Sequence, residues 1–438
     1  MSAAPGFPNW VMLEPVVFRR DDDRSFPDDT EAPIRASGTT SWGADFRIAF
    51  SLADPPHISR LYAQLPGFPG PSKERPLAIV AAHRHLALLR VGTKRPGLVQ
   101  DFFIYSADKP SKLQRLPPCT VTSMPGRNNL AREGNLPSHR RPPPQGADRR
   151  LQTVKSMGLL CRGRGKEEEI AVAELHIYRQ RSSSEVFADI YLFLESVSSE
   201  WESMRLPIIN MDKDHINGPN DVWQLCLWQT DAVIPVGNNW LCWVDYDRGI
   251  LFYDVFGATV SFLRFPLDTF PSTPNRSREC SWLYRGVSAI NDGCALRFVN
   301  VARDDFVGYG ALKPGAGFTI TSHTISLSGG SSRVWREDCM VTSDELWTDD
   351  RLPREVPTFP QVNIDMPHVV HFLVSDFTYA MKKMWLVAVD MNTKTVKSCS
   401  RYINGREDIG TQLEFLTEER SMCPRPFLPC EFSKYLRF

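Results

Sequence analysis

Residues 231–266 constrain the fold more than any other stretch, because they predict four short strands joined by three turns. Apolar, β-branched and aromatic runs at 231–236, 240–244, 250–255 and 260–265 are separated by segments rich in Gly, Asn and Asp. Such runs between such turns are typical of meandering antiparallel strands. One small sheet cannot bury both of its faces, so we expect further copies on either side of it.

Similar strand signals recur along the chain, and several of them end in the same way. Candidate strands are followed by Leu116-Pro117, Leu206-Pro207 and Phe265-Pro266, and proline interrupts a ladder because it lacks the N–H. Regularly recurring short strands indicate radial repetition. We therefore predict an all-β fold, a single β-propeller-like domain over residues 1–438 with five to six four-stranded blades and long loops. A β-sandwich plus a second β-domain is the alternative.

A propeller must join its first and last blades, and residues 10–19 are the best candidate for this joint. They form an apolar run that lacks glycine and has no obvious local partner. We predict that residues 10–18 pair with a strand from the last third of the chain, with Pro15 at a sheet edge. Trp240 and Trp243 are three positions apart, so they should face opposite sides of one strand and both be buried between blades.

Residues 124–154 interrupt the strand pattern. They are rich in Gly, Pro and Asn and carry few large apolar side chains, which predicts a disordered or loosely attached insertion. Six arginines make it a candidate interaction segment for an acidic protein surface or RNA: Arg127, Arg132, Arg140, Arg141, Arg149 and Arg150. Nucleic acid is the less favoured partner because aromatic residues for base stacking are not interleaved with the arginines.

Charge and cysteine content indicate a compartment rather than a reaction. The 51 basic and 51 acidic residues cancel, so no net field attracts nucleic acid or an anionic membrane. The sequence predicts no membrane span, signal peptide or transit peptide. Ten cysteines include no C-x-x-C pair and are interpreted as reduced, mostly buried thiols. We therefore expect a cytoplasmic or nuclear protein.

The stretch 240–255, WLCWVDYDRGILFYDV, resembles a known family. Together with residues 46–64, 156–161, 282–301 and 427–436, it is similar to a plant family, expanded in grasses and catalogued as domain-of-unknown-function family 1618. The resemblance runs from about residue 10 to the C-terminus and implies no established activity, cofactor or site residue. The recurring pattern of strands is more distantly similar to that of F-box-associated and kelch-type propellers, although no F-box-like helical segment precedes Trp10.

Several histidines carry metal-binding chemistry without a specific motif. His83 and His85 would share one face of an extended strand, but no third ligand stands at the spacing of a zinc site. We interpret them as a turn or strand-edge pair. His368 and His371 would face opposite sides of a strand, which argues against a shared ion.

Two further segments are interpreted as turns and loops. Asp245, Asp247 and Arg248 could bind an ion, but Asp in such a turn more often accepts hydrogen bonds from its own backbone. Residues 308–317 are glycine-rich but lack the Gly-Lys-Ser/Thr of a phosphate loop. They are predicted to form a flexible loop that joins two strands.

The sequence favours an intracellular protein-interaction module over an enzyme. Nucleophile elbows, His-Glu-x-x-His helices and kinase-type loops are absent, and no catalytic, metal-binding or cofactor-binding residue is predicted. The expected partners are proteins, bound by the loops of one rim. The alternative is a propeller hydrolase or lyase with a polar channel, which Asp, Glu, Asn and His converging in the channel would support.

Overall fold

The computed structural model describes residues 7–68, 76–93, 99–109, 111–120, 153–163, 165–179, 185–197, 199–210, 225–267, 280–306, 308–327, 334–376, 383–403 and 425–436. These residues are mostly β-strands, with a few helical turns of three or four residues: Val154–Ser156, Gly165–Glu167, Ser281–Tyr284, Ser343–Leu346 and Phe432–Tyr435. No helix in the described part of the chain is long and apolar enough to cross a membrane. The predicted all-β class is confirmed.

The first five strands lie in one sheet, blade 1. They are β1 (Val11–Leu13), β2 (Phe18–Arg19), β3 (Ile34–Thr39), β4 (Asp45–Ser51) and β5 (Ile58–Gln64).

The next twenty strands form five antiparallel meanders of four strands, blades 2 to 6, in chain order. Blade 2 contains β6 (Leu77–His83), β7 (Leu86–Thr93), β8 (Val99–Ser106) and β9 (Gln114–Arg115). Blade 3 contains β10 (Met157–Arg162), β11 (Glu169–Arg179), β12 (Val186–Leu194) and β13 (Glu202–Asn210). Blade 4 contains β14 (Ala232–Val236), β15 (Trp240–Asp245), β16 (Gly249–Asp254) and β17 (Thr259–Arg264). Blade 5 contains β18 (Arg285–Ile290), β19 (Ala295–Arg303), β20 (Phe318–Ser326) and β21 (Arg336–Thr342). Blade 6 contains β22 (Thr358–Val362), β23 (Val369–Asp376), β24 (Lys383–Asp390) and β25 (Thr395–Ile403).

The last strand, β26 (Leu428–Cys430), closes the ring by returning to blade 1. Its residues pair antiparallel with β1, with Val11 opposite Cys430, and β1 pairs parallel with β5 on its other side. The prediction that residues 10–18 pair with the last third of the chain is confirmed. The predicted edge position of Pro15 is wrong, because β1 is an interior strand and Pro15 lies in the break between β1 and β2.

The first strand of each meander lies at the centre of the molecule. Strands β6, β10, β14, β18 and β22 contact one another in succession, and β26 contacts β6. An apolar cluster that includes Trp10 and Met12 with Val370 and Phe372 joins blade 1 to blade 6. The result is a six-bladed β-propeller, within the predicted range of five to six blades.

Turns between neighbouring blades touch at one face of this ring. The turn at residues 291–293 has positive φ at all three positions, as the Asn-Asp-Gly sequence requires. A Cβ added to Gly293 would lie 2.1 Å from the backbone nitrogen of Gly237 in blade 4. Only glycine therefore allows the two hairpins to approach so closely.

The outer edges of blades 3 and 4 depart from the simple pattern. Strand β13 continues through Leu206-Pro207 to Asn210, where Ile208 pairs parallel with Val260 of β17. Leu206-Pro207 therefore lies within a strand, contrary to the prediction that this pair ends one. The two blades consequently form one continuous eight-stranded sheet.

Apolar clusters fill the spaces between successive blades. Trp243 is fully buried between blades 3 and 4, whereas Trp240 on the opposite face is only partly buried beside blade 5. The opposite orientation of the two tryptophans is confirmed. The prediction that both are buried holds fully for Trp243 and in part for Trp240.

Candidate functional site

The six innermost strands, β6, β10, β14, β18, β22 and β26, surround the central axis and contain no Asp or Glu. Most of their side chains are apolar, as in the sequence AVIPV of β14. The polar side chains include Gln361, whose amide donates to Ser288 Oγ at 3.4 Å. Converging carboxylates, which would support a hydrolase or lyase in the channel, are not found on these strands.

The described residues 304–306 and 308–317 lie in the loop between β19 and β20. Buried Arg303 anchors it by donating hydrogen bonds to the carbonyl oxygens of Gly310 and Ala311 at 2.9 and 3.0 Å. The same guanidinium group donates to Tyr284 Oη at 3.0 Å and to the Asp305 carboxylate at 2.8 Å. The loop is therefore tied to the helical turn Ser281–Tyr284 before blade 5, which confirms that residues 308–317 join two strands.

Two aromatic side chains on this loop face solvent. Phe306 is 96% exposed and Tyr309 is 44% exposed. Phe306 also has φ of +54°, a backbone region that costs a non-glycine residue of order 1–3 kcal/mol. Neither burial nor backbone preference explains phenylalanine at this position. Sequence reasoning missed Phe306, because its exposure depends on the course of the loop and not on the residue type.

A groove of about 1420 Å³ lies at the opposite face, among blades 1, 2 and 3. Its walls include Asp45, His85, Asp108, Lys112 and Glu168. His85 precedes β7, Asp108 follows β8, and Glu168 precedes β11. All three lie in connections between the first and second or the third and fourth strands of their blades, and so at the same face.

Three side chains of metal-ligating types lie together beside this groove, and two of them, His85 and Glu168, line it. The ligand atoms of His85, Cys161 and Glu168 all lie within 4.8 Å of one another. His85 Nε2 is 3.1 Å from Glu168 Oε1 and 3.8 Å from Asp108 Oδ2. His85 and Cys161 are buried, and Glu168 is partly exposed. Burial, reinforced by the Glu168 carboxylate, raises the pKa of the Cys161 thiol to about 11.

The two histidines of the His83-Arg84-His85 turn have different roles. His83 ends β6, and its Nδ1 accepts a hydrogen bond of 2.8 Å from the backbone N–H of Cys161. Burial lowers the pKa of His83 to about 3, with Arg84 and His85 adding to the effect. His83 is therefore neutral and holds β10 in place. The interpretation of the pair as residues of a turn or strand edge is confirmed. Only His85 joins a cluster of possible ligands, and its neighbours there, Cys161 and Glu168, are distant in sequence.

The other predicted turn residues stabilise the fold. Asp245 is fully buried and accepts hydrogen bonds from the backbone of Asp247 and Gln229 and from the Arg248 side chain. His371 lies buried in β23, where Asn363 Nδ2 is 3.2 Å from its Nε2. His368 lies in the turn before that strand, 3.8 Å from Asp390. The two histidines therefore have separate partners.

The six arginines predicted as an interaction segment, Arg127, Arg132, Arg140, Arg141, Arg149 and Arg150, lie outside the described residues. So do residues 124–152 as a whole. The arginine segment stays a prediction.

Residues 243–371 match the model of the family described as "Protein of unknown function (DUF1618)". This match covers the region from β15 to β23 and confirms the resemblance predicted from the sequence. No curated protein matches the chain.

Solved structures similar to this chain include several propellers. The β-propeller domain of Myceliophteria thermophila Cps50 (Swd1) is 7% identical with a TM-score of 0.38, covering 84% of this chain and 86% of that one. The Dos1 propeller is 9% identical with a TM-score of 0.34, covering 77% and 74%. The six-bladed fungal lectin of Aleuria aurantia is 11% identical with a TM-score of 0.25, covering 84% and 93%.

Proposed function

We propose that the protein is a protein-interaction module that binds a partner protein through the β19–β20 loop. The observation that carries this proposal is Phe306, which is 96% exposed on an anchored loop and in an unfavourable backbone region. Aromatic side chains held rigidly in solvent are typical anchors of protein interfaces, because they bury a large area with little loss of conformational entropy. The expected partner presents an apolar pocket that accepts the phenylalanine ring.

The innermost strands support recognition over catalysis. A hydrolase or lyase at the channel would need acidic or other polar groups converging there. The innermost strands are mainly apolar and carry no carboxylate side chain. We therefore favour the interaction module over the propeller enzyme, and we expect the partner in the cytoplasm or nucleus.

The test compares wild-type protein with Phe306→Asn. Asparagine tolerates positive φ better than other non-glycine residues, so this variant removes the ring while retaining the backbone conformation. We expect unfolding stability within about 0.5 kcal/mol of wild type, because Phe306 is a surface residue. Proteins captured with the wild-type protein should bind the variant at least roughly 30-fold more weakly than they bind wild type. A loss of this size is typical of a hot-spot residue.

The matched control is Val197→Asn, which removes a side chain that is 68% exposed. Val197 lies after β12, between the third and fourth strands of blade 3, and therefore at the opposite face. We expect this variant to capture the same proteins as wild type. Equal binding by Phe306→Asn and wild type, with direct affinities measured on a captured partner, would refute the proposed docking loop.

A further inference from the structure

The cluster of His85, Cys161 and Glu168 belongs to neither the docking loop nor the turn networks. In a tetrahedral zinc site with bonds of about 2.0–2.3 Å, the ligand atoms lie about 3.3–3.8 Å apart. The three donors here already lie within 4.8 Å of one another. A direct contact between His85 and Glu168 explains why these two side chains lie together without an ion. It does not explain the buried Cys161 thiol beside them, which completes a set of three donors.

The local structure directs all three donors to one point. The hydrogen bond from the Cys161 N–H to His83 Nδ1 fixes β10 against the β6–β7 turn. Gly163 then allows the β10–β11 connection to fold back, because a Cβ there would lie 2.0 Å from the carbonyl oxygen of Glu167. This fold places Glu168 over His85, although 83 residues separate them in sequence.

We propose that the protein binds one zinc ion between blades 2 and 3 through His85 Nε2, Cys161 Sγ and a carboxylate oxygen of Glu168. Mixed nitrogen, sulfur and oxygen donors in this number are typical of zinc with one further coordination position. Asp108, which lines the groove, lies next to the proposed site, 3.8 Å from His85 Nε2. The ion would join two blades whose donors are distant in sequence. This inference does not depend on the docking loop.

The charges around the cluster are consistent with a divalent cation. Cys161 loses its proton to solvent when the sulfur–zinc bond forms, so thiolate and Glu168 carboxylate together balance the two charges of zinc. Arg84 lies beside the sulfur and opposes a cation. Its guanidinium group, however, also donates to Gly163 O at 3.0 Å and to Asn238 Oδ1 at 2.6 Å. Asp108, 3.8 Å from His85 Nε2, adds a further negative charge to the groove.

The test uses the full chain, reduced, stripped with chelator and titrated with zinc. We expect one equivalent of tightly bound zinc by elemental analysis and a Tm that rises by roughly 3 °C at a hundredfold excess over Kd. Cobalt added in place of zinc should give a thiolate-to-cobalt charge-transfer absorption in the near ultraviolet. That absorption reports a cysteine ligand directly, whereas a change in Tm alone would not.

The decisive variant is Cys161→Ala, and its matched control is Cys242→Ala, because both thiols are fully buried in strands. We expect Cys161→Ala to abolish the cobalt absorption and weaken zinc binding by on the order of 100-fold or more, since even supporting residues contribute 10–100-fold. Cys242→Ala should retain both.

A second variant, Glu168→Gln, tests the site with little risk of misfolding, because the Glu168 side chain is partly exposed. It should keep the wild-type circular dichroism spectrum and lose zinc affinity. Absence of bound zinc in wild type, or a cobalt absorption that survives Cys161→Ala, would overturn the proposed site.

Discussion

The closure of the ring by β1 makes a quantitative prediction about stability. Strand β1 lies between β26 and β5 and alternates its side chains between two cores. Met12 packs in the cluster shared with blade 6, and Leu13 packs in the cluster shared with blade 2. Both side chains have no exposed surface. Truncating either one therefore leaves a cavity in a different inter-blade core.

We expect Met12→Ala and Leu13→Ala each to lower the free energy of unfolding by about 2–5 kcal/mol. Because the two side chains point into separate cores, their effects should add in the double variant. A sum of about 4–10 kcal/mol is comparable with the whole stability of a typical domain. Deleting the residues before Asp21 also removes Trp10, Val16 and Phe18, so that chain should be insoluble or unfolded.

The assay is thermal and urea unfolding of purified protein, followed by tryptophan fluorescence, with soluble yield measured in parallel. The control removes residues 1–6 only and leaves every described contact of β1 in place. It should melt like the full chain. If the chain beginning at Asp21 also melts like the full chain, then β1 does not close the propeller and the argument fails.

Two further predictions concern single buried residues. Trp243→Ala should lower the free energy of unfolding by about 3–5 kcal/mol, whereas Trp243→Phe, which mainly loses the 2.7 Å indole hydrogen bond to Ser156 O, should lower it by about 1–3 kcal/mol. Equal urea midpoints for the two variants would contradict this order. Burial lowers the pKa of His371 from 6.5 to about 4, so the unfolded chain binds the proton first and stability falls by about 3 kcal/mol as pH decreases from about 6.5 to 4. In His371→Gln, the free energy of unfolding should depend less on pH over this range. An unchanged dependence would refute the assignment of the effect to His371.

The blade at residues 231–266 could be predicted to within one or two residues because all of its signals are local. Gly237, Gly249 and the adjacent Asn and Asp residues fix turns, and the apolar runs between them fix strands. Closure could also be predicted, since a ring needs a partner for its N-terminal strand. The pairing of β13 with β17 could not, because it depends on how far the outer edge of one blade bends toward the next.

The proposed zinc site shows what sequence spacing cannot predict. Cys161 and Glu168 flank a hairpin and meet because Arg162 pairs with Glu169, which a strand prediction could have shown. His85 reaches them only because blades 2 and 3 are adjacent in the ring. The spacing of these residues in the sequence does not reveal that contact. The Arg303 anchor of the docking loop was missed for a related reason. Two of its partners on the loop are main-chain carbonyl oxygens, which no residue type reveals.

The geometry of a meander separates the two proposed sites. Connections between the first and second strands and between the third and fourth strands leave at one face of the ring, and connections between the second and third leave at the other. Phe306 follows β19 and lies at the second face, whereas His85 and Glu168 lie at the first. The metal cluster and the docking loop therefore share no side chain and no blade. Loss of zinc should leave the docking loop intact, and loss of the Phe306 ring should leave zinc binding unchanged, so each proposal stands or fails on its own measurements.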